Sequence, residues 1–128
     1  MIVGVGVDIV NVTRLKSAIE RFGDRFLRRV FTEKELQDCL GKANQYERLA
    51  ARFAAKEAVV KAIGIGLRNG ITWQDVEVRN DGMGKPDIYT HGKCKQMMHV
   101  LSVNRIHVSL SHFDEMAIAM VVLEKKTH

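Results

Sequence analysis

Hydrophobic and small or polar positions alternate from the second residue onward. Ile2 to Val10 places Val3, Val5, Val7 and Ile9 on one side and Gly4, Gly6 and Asp8 on the other, the period-two pattern of a strand. The second side carries almost no side chain until it ends in a carboxylate, so another element or a ligand can approach its backbone closely. From Thr13 to Phe22 the period becomes helical, with Leu15, Ala18, Ile19 and Phe22 on one face. Thr32-Glu33-Lys34-Glu35 reads as a capping box that opens a short helix. Asn44-Gln45-Tyr46-Glu47 has a similar cap pattern and opens a longer helix to about Ile63, which Gly64-Ile65-Gly66 ends.

Beyond it, Asp75 to Arg79 alternates as a strand. Asn80-Asp81-Gly82-Met83-Gly84-Lys85-Pro86 is turn-forming at nearly every position, and Asp87 to Thr90 is the returning strand. Residues 92–102 read as a helix, and Arg105 to Ser111 and Met116 to Glu124 as two strands joined by His112-Phe113-Asp114-Glu115. A strand, three helices, two strands, a helix and two strands predict one α+β domain over residues 1–128, its mainly antiparallel sheet packed by helices.

Composition narrows the function without deciding it. The 128 residues suit one core. No apolar run approaches the roughly 18 residues of a membrane span, and Met1-Ile2-Val3-Gly4 reads as the start of a strand, without a signal peptide's basic leader. Cys39 and Cys94 form no C-x-x-C pair and have no metal-ligand spacing, so a reducing, cytoplasmic setting is expected. The net charge of +5 favours acidic partners: nucleic acid, anionic lipid, a phosphorylated cofactor or an acidic protein.

Candidate chemistry gathers at four places. On the long helix, Tyr46, Ala50, Phe53, Ala54, Ala58 and Ala62 form the expected buried stripe, while Arg52, Lys56, Glu57 and Lys61 form a polar flank with Glu57 at its apolar edge. Glu57 and Lys61 alone are an ordinary i,i+4 surface pair, and Asp8 alone is an ordinary strand-end turn residue. Together, two carboxylates and several cations are what a Mg²⁺–phosphate site requires, since Mg²⁺ takes one or two carboxylates and fills its shell with waters and phosphate oxygens. The third feature is Ser109-Leu110-Ser111-His112, in which His112 begins a turn and either contacts phosphate, carries a proton, or simply bonds backbone. Ser111 and His112 are strand neighbours whose side chains point apart, and no G-x-S-x-G elbow, Walker A loop or dinucleotide fingerprint is present. The fourth is the segment from Arg14 to Arg29, with six cations against two anions. As one helix it would bring Arg14, Arg21, Arg25 and Arg28 within roughly 60°, although Gly23 interrupts it. Such a ridge can dock an acidic helix, nucleic acid or an anionic membrane.

Three blocks give these features a common meaning: Gly4-Val5-Gly6-Val7-Asp8-Ile9, the run Arg52-Phe53-Ala54-Ala55-Lys56-Glu57-Ala58-Val59-Val60-Lys61-Ala62, and Ser109-Leu110-Ser111-His112 with Ala117 and Ala119, supported by Gly84-Lys85-Pro86. In this order and spacing the chain closely resembles the holo-[acyl-carrier-protein] synthase family, the small bacterial phosphopantetheinyl transferases. The resemblance implies transfer of 4'-phosphopantetheine from coenzyme A to a serine of apo acyl carrier protein, with release of adenosine 3',5'-bisphosphate, in support of fatty acid biosynthesis. It implies Mg²⁺ on Asp8 and Glu57, with Asp8, Glu57 and Lys61 as the catalytic set. It further implies coenzyme A contacts at Lys61, His112, Ser111, Arg52, Lys56, Gly64 and Pro86, and docking of the acidic carrier at Arg14, Arg21, Arg25 and Arg28. Family members of this type are homotrimers with interfacial active sites, acting without nucleic acid or membrane. Larger monomeric relatives place a third carboxylate where this chain has Val10, so water is expected in that metal position. A Mg²⁺-dependent phosphohydrolase and a basic nucleic-acid-binding module are the competing classes. The few aromatics and the lack of a zinc-finger or RNP pattern weigh against the latter.

Overall fold

The computed structural model describes residues 1–64 and 70–127; the Ile65-Gly66 part of the expected helix stop lies outside them. The elements are β1 (Ile2–Asn11), α1 (Val12–Phe22), α2 (Asp24–Val30), α3 (Glu33–Cys39), α4 (Gln45–Ile63), β2 (Val76–Asn80), β3 (Pro86–Thr90), α5 (Gly92–Val100), β4 (Val103–Phe113) and β5 (Met116–Lys125), with a 3-10 turn at Trp73–Asp75 before β2. The α+β class is as expected. The strands, however, form two antiparallel sheets: a three-stranded sheet in the order β1-β5-β4 and the separate hairpin β2-β3.

Local chemistry sets the boundaries. The Asn11 side chain accepts the Arg14 N–H at 2.9 Å and so caps α1. Gly23, at φ +63°, ends α1 and splits the arginine segment into two helices where α1 alone was expected. Thr32 and Glu35 form the predicted capping box of α3. Asn44 does not cap α4: its Oδ1 accepts from Arg48 Nε at 2.9 Å. His112 lies inside β4, opposite Ala117, rather than at the start of the turn; the chain reverses at Asp114, whose φ is +53°.

The bare side of β1 is used as its composition suggests. α4 lies so close that a Cβ on Gly4 would collide with the Ala62 carbonyl, and one on Gly6 with the Ala58 carbonyl. Across the inner face of the sheet, Ala117, Ala119, Val121 and Leu123 of β5 are fully buried, as are Ala54, Ala55 and Ala58 of α4. The buried part of α4 is wider than the predicted stripe, and takes in Leu49, Val59, Arg52 and Lys56. The opposite face of the sheet is apolar and open: Val5, Val7 and Ile9 of β1 are about half exposed, at 51%, 48% and 59%, beside Met116 and Met120 of β5.

Because the collision at Gly6 is with backbone, Gly6→Ala forces β1 and α4 apart. It is expected to destabilise the fold by about 1–3 kcal/mol or more, the range of core overpacking. Denaturant unfolding measures this, and a loss under about 0.5 kcal/mol, the scale of a neutral surface change, would show that the contact is not tight.

Candidate active site

The close approach of β1 and α4 brings three predicted residues together. Asp8 lies on the inner face of β1, two residues past Gly6, in register with Ala119. Lys61 Nζ donates to Asp8 Oδ1 at 2.8 Å and to the Val7 carbonyl at 3.2 Å. The Asp8 side chain is 14% exposed and that of Lys61 54%. Burial first, and then the charge of Asp8, hold the Glu57 carboxyl above its ordinary value, against the opposing pull of Lys61. The hydrogen bond to Asp8 in turn raises Lys61. Two neighbouring carboxylates with one exposed ammonium beside them form a donor set suited to a hard divalent cation. Val10, one alternation beyond Asp8 on the same face, is buried and contributes no ligand atom.

A second group lies in a cleft of about 820 Å³ between the first half of α4, the tip of the β2–β3 hairpin and β4. Its lining includes Asn44, Arg48, Arg52, Lys85, Pro86 and His112. Arg52 is only 3% exposed, and its Nε and Nη2 have no hydrogen-bond partner among the described residues; Nη1 reaches the Arg48 carbonyl, at 3.4 Å. A guanidinium with unused donors just beneath the wall of a cleft is a candidate for an anion that reaches it when the side chain shifts toward the opening. Arg48 was not anticipated, although its position one helical turn before Arg52 was a readable signal.

Three further candidates lie away from the cleft. Lys56 is fully buried, ion-paired to Glu35 at 2.7 Å and donating to the carbonyls of Trp73 and Val76, so its ammonium has no access to a ligand. Ser111 pairs with Ile118 on the open face of the sheet, whereas His112 projects to the helix-covered face; of the two, only His112 lines the cleft. Gly64 closes α4 in a left-handed conformation, φ +91°, and is not part of the cleft lining. In the basic segment, Arg28 is engaged by Glu33 at 3.1 Å and Asp24 at 3.7 Å. Arg14, Arg21 and Arg25 have no carboxylate partner among the described residues, and Arg21 stacks on Phe22, its centre 5.3 Å from the ring. Neither Asp8, Glu57 nor Lys61 lines the Arg52 cleft, so the chain presents two separate half-sites.

Two neighbouring carboxylates and a cation-lined cleft on an α+β frame are compatible with chemistry on a phosphorylated substrate. The family model for the 4'-phosphopantetheinyl transferase superfamily matches residues 4–121. The holo-[acyl-carrier-protein] synthase of Koribacter versatilis is 52% identical over 124 residues, 97% of this chain and 99% of that one. Among solved structures, the Neisseria meningitidis holo-[acyl-carrier-protein] synthase aligns at a TM-score of 0.89 and 33% identity over 98% of this chain and 100% of that one. The Bacillus anthracis enzyme, solved in complex with coenzyme A (3',5'-ADP), aligns at 0.80 and 38% identity over 98% and 99%. The chain therefore belongs to the phosphopantetheinyl transferase superfamily, among the holo-[acyl-carrier-protein] synthases, and is an enzyme of that class.

The raised Glu57 pKa has a definite sign in stability. Between the ordinary value of 4.5 and the raised one, the folded state binds more protons than the unfolded state, so stability falls as pH rises through that window. Without divalent ions, Glu57→Gln should match the parent near pH 4 and gain melting temperature over it as the pH climbs toward 7. Parallel melting curves across that range would show that the surroundings of Glu57 do not raise its proton affinity.

Proposed function

We propose that the enzyme transfers 4'-phosphopantetheine from coenzyme A to a serine hydroxyl of an apo acyl carrier protein and releases adenosine 3',5'-bisphosphate. The observation that carries this reading is the convergence of Asp8, Glu57 and Lys61 where β1 meets α4. The serine oxygen attacks the β-phosphorus of the pyrophosphate as the bond to the bridging oxygen breaks. The serine proton passes to Glu57, directly or through water, the carboxylate beside Asp8 and Lys61. Lys61 stabilises the departing phosphate. Asp8 and Glu57 would hold Mg²⁺, whose chemistry there is neutralisation of the pyrophosphate charge. Arg52, with Arg48 and Lys85 beside it, supplies donors for phosphate groups of coenzyme A, and Pro86 and His112 shape the same cleft. The outward arginines Arg14, Arg21 and Arg25 meet the acidic carrier, with the exposed ring of Phe22 among them.

We read the active form as a homotrimer in which the half-sites of adjacent copies combine. The apolar row of Val5, Val7, Ile9, Met116 and Met120 supports this, because a monomer seldom leaves such a face open. Among the described residues no helix is long and apolar enough to cross a membrane. Cys39 and Cys94 are free and buried, in keeping with a reducing cytoplasm.

Incubation with coenzyme A, Mg²⁺ and apo carrier protein is expected to add the phosphopantetheine mass to the carrier. Cleavage of coenzyme A without carrier modification would instead identify a phosphohydrolase. Asp8→Asn and Glu57→Gln should each abolish turnover in folded protein, and near-parental rates in either would refute the assigned role. Val7→Lys should shift the particle from three chains to one in light scattering; an unchanged mass would move the interface elsewhere.

A further inference from the structure

The Lys56–Glu35 pair is among the most deeply buried polar features of the chain, and the reaction proposed above does not use it. Both side chains are 0% exposed and meet at 2.7 Å. Lys56 also donates to the Trp73 and Val76 carbonyls. The other oxygen of Glu35 accepts the Val78 N–H at 2.9 Å, while its first oxygen accepts the Thr32 N–H at 2.9 Å. Thr32 continues the chain of bonds to Glu77 at 2.5 Å, and Glu77 receives Arg79 at 2.7 Å. α3, α4 and the β2–β3 hairpin are thereby joined through one directional polar spine.

Stability is a poor reason for such a pair. A buried ion pair roughly breaks even against well-packed apolar residues, and its best-attested use is to fix one arrangement among several. α4 needs that service. Its contact with β1 is built from glycine and alanine, Gly4 and Gly6 against Ala58 and Ala62. Along this contact few side chains project, so it supplies little of the ridge-and-groove packing that defines a helix's rotation, which is left to the side chains α4 buries elsewhere, Lys56 among them. Yet rotation sets the chemistry. Successive residues step by about 100°, so Glu57 is about 100° and Lys61 about 140° around the helix from Lys56. A carboxylate about 6 Å from the axis, near the outer radius of a helix, moves about 1 Å for a 10° roll. A misplacement of about 1 Å can cost on the order of 100-fold in rate.

We propose that the buried Lys56–Glu35 pair is a positioning device, which locks the rotation of α4 so that Glu57 faces Asp8 while Arg52 faces the anion cleft. The inference rests on the proposed reading of the active site. Lys56 touches no substrate; it acts through Glu57. Asp8, on β1, is fixed independently by its register with β5, so loss of the lock misaligns one carboxylate relative to the other.

The test is the double variant Glu35→Gln/Lys56→Met, which removes both charges, keeps side-chain length and leaves one acceptor oxygen for the neighbouring amides. Melting temperature, kcat, KM for coenzyme A and direct binding of Mn²⁺, by electron paramagnetic resonance, are measured for parent and variant. The variant is expected to stay folded, with kcat reduced on the order of 10- to 100-fold, several-fold weaker Mn²⁺ binding, and a smaller change in KM. A folded variant with kcat and Mn²⁺ affinity within about twofold of the parent would overturn the proposal, reducing the pair to a packing feature. If the double variant does not fold, Glu35→Gln alone is read by the same measurements and the same criteria. A parent that fails to modify the carrier tells against the proposed reaction, whereas an active parent beside an unimpaired variant tells against the positioning role alone.

Discussion

The structure depends on the absence of side chains along one side of β1. Gly4 and Gly6 let the carbonyls of Ala58 and Ala62 sit where a Cβ would otherwise be, and this fixes the distance between strand and helix. Asp8 follows two residues later on the same face, and Glu57 and Lys61 lie on the same stretch of α4. At this range the charge of Asp8 is felt by Glu57, and Lys61 settles between backbone and carboxylate at 2.8 Å from Asp8. The chemistry is a consequence of how closely two backbones can meet.

The same alternation that gives the sheet an inner face for the site gives it an outer face with nothing to cover it. Val5, Val7 and Ile9 cannot turn inward without turning Gly4, Gly6 and Asp8 outward, because a strand's register moves all side chains together. Closeness on one side therefore carries an apolar, exposed row on the other. The division of the polar groups into two half-sites fits this: the carboxylates sit where β1 meets α4, and the Arg52 donors open onto a cleft elsewhere on the chain. A second copy seated on the outer face would serve both needs.

Patterns local in sequence were legible in it. The strand of alternating glycines, the Thr32 capping box and the hairpin around Asn80 to Pro86 were all read correctly, since each depends on neighbours within a few residues. What failed was either very short or long-range. α2 was missed because its seven residues carry too little periodicity to be separated from α1, and the split into two sheets depends on which strands meet in space. His112 looked like a turn residue because polar residues follow it, yet pairing with Ala117 extends β4 past it. Lys56 and Arg52 looked alike, as cations four apart on one helix. The burial of Lys56 is set by Glu35, Trp73 and Val76, none of which is near it in sequence, whereas Arg52 meets only the carbonyl of Arg48, one turn away.

The plainest alternative for Glu57 and Lys61 was an i,i+4 surface pair, contributing a few tenths of a kcal/mol. The geometry argues against it, because the hydrogen bond of Lys61 goes across to Asp8 on another element and not back to Glu57. An ammonium that satisfies a mostly buried carboxylate while its own side chain is 54% exposed is held at one end and free at the other. On the proposed reading, that makes Lys61 the movable charge of the site. It balances Asp8 when no divalent ion is there, and it is near enough to turn to a phosphate when the carboxylate is otherwise engaged. Lys56, an equally ordinary lysine five residues earlier, cannot do this, since Glu35 and two carbonyls hold it on every side. Sequence distance along the helix, converted to angle, decides which lysine fixes the frame and which takes part in the reaction.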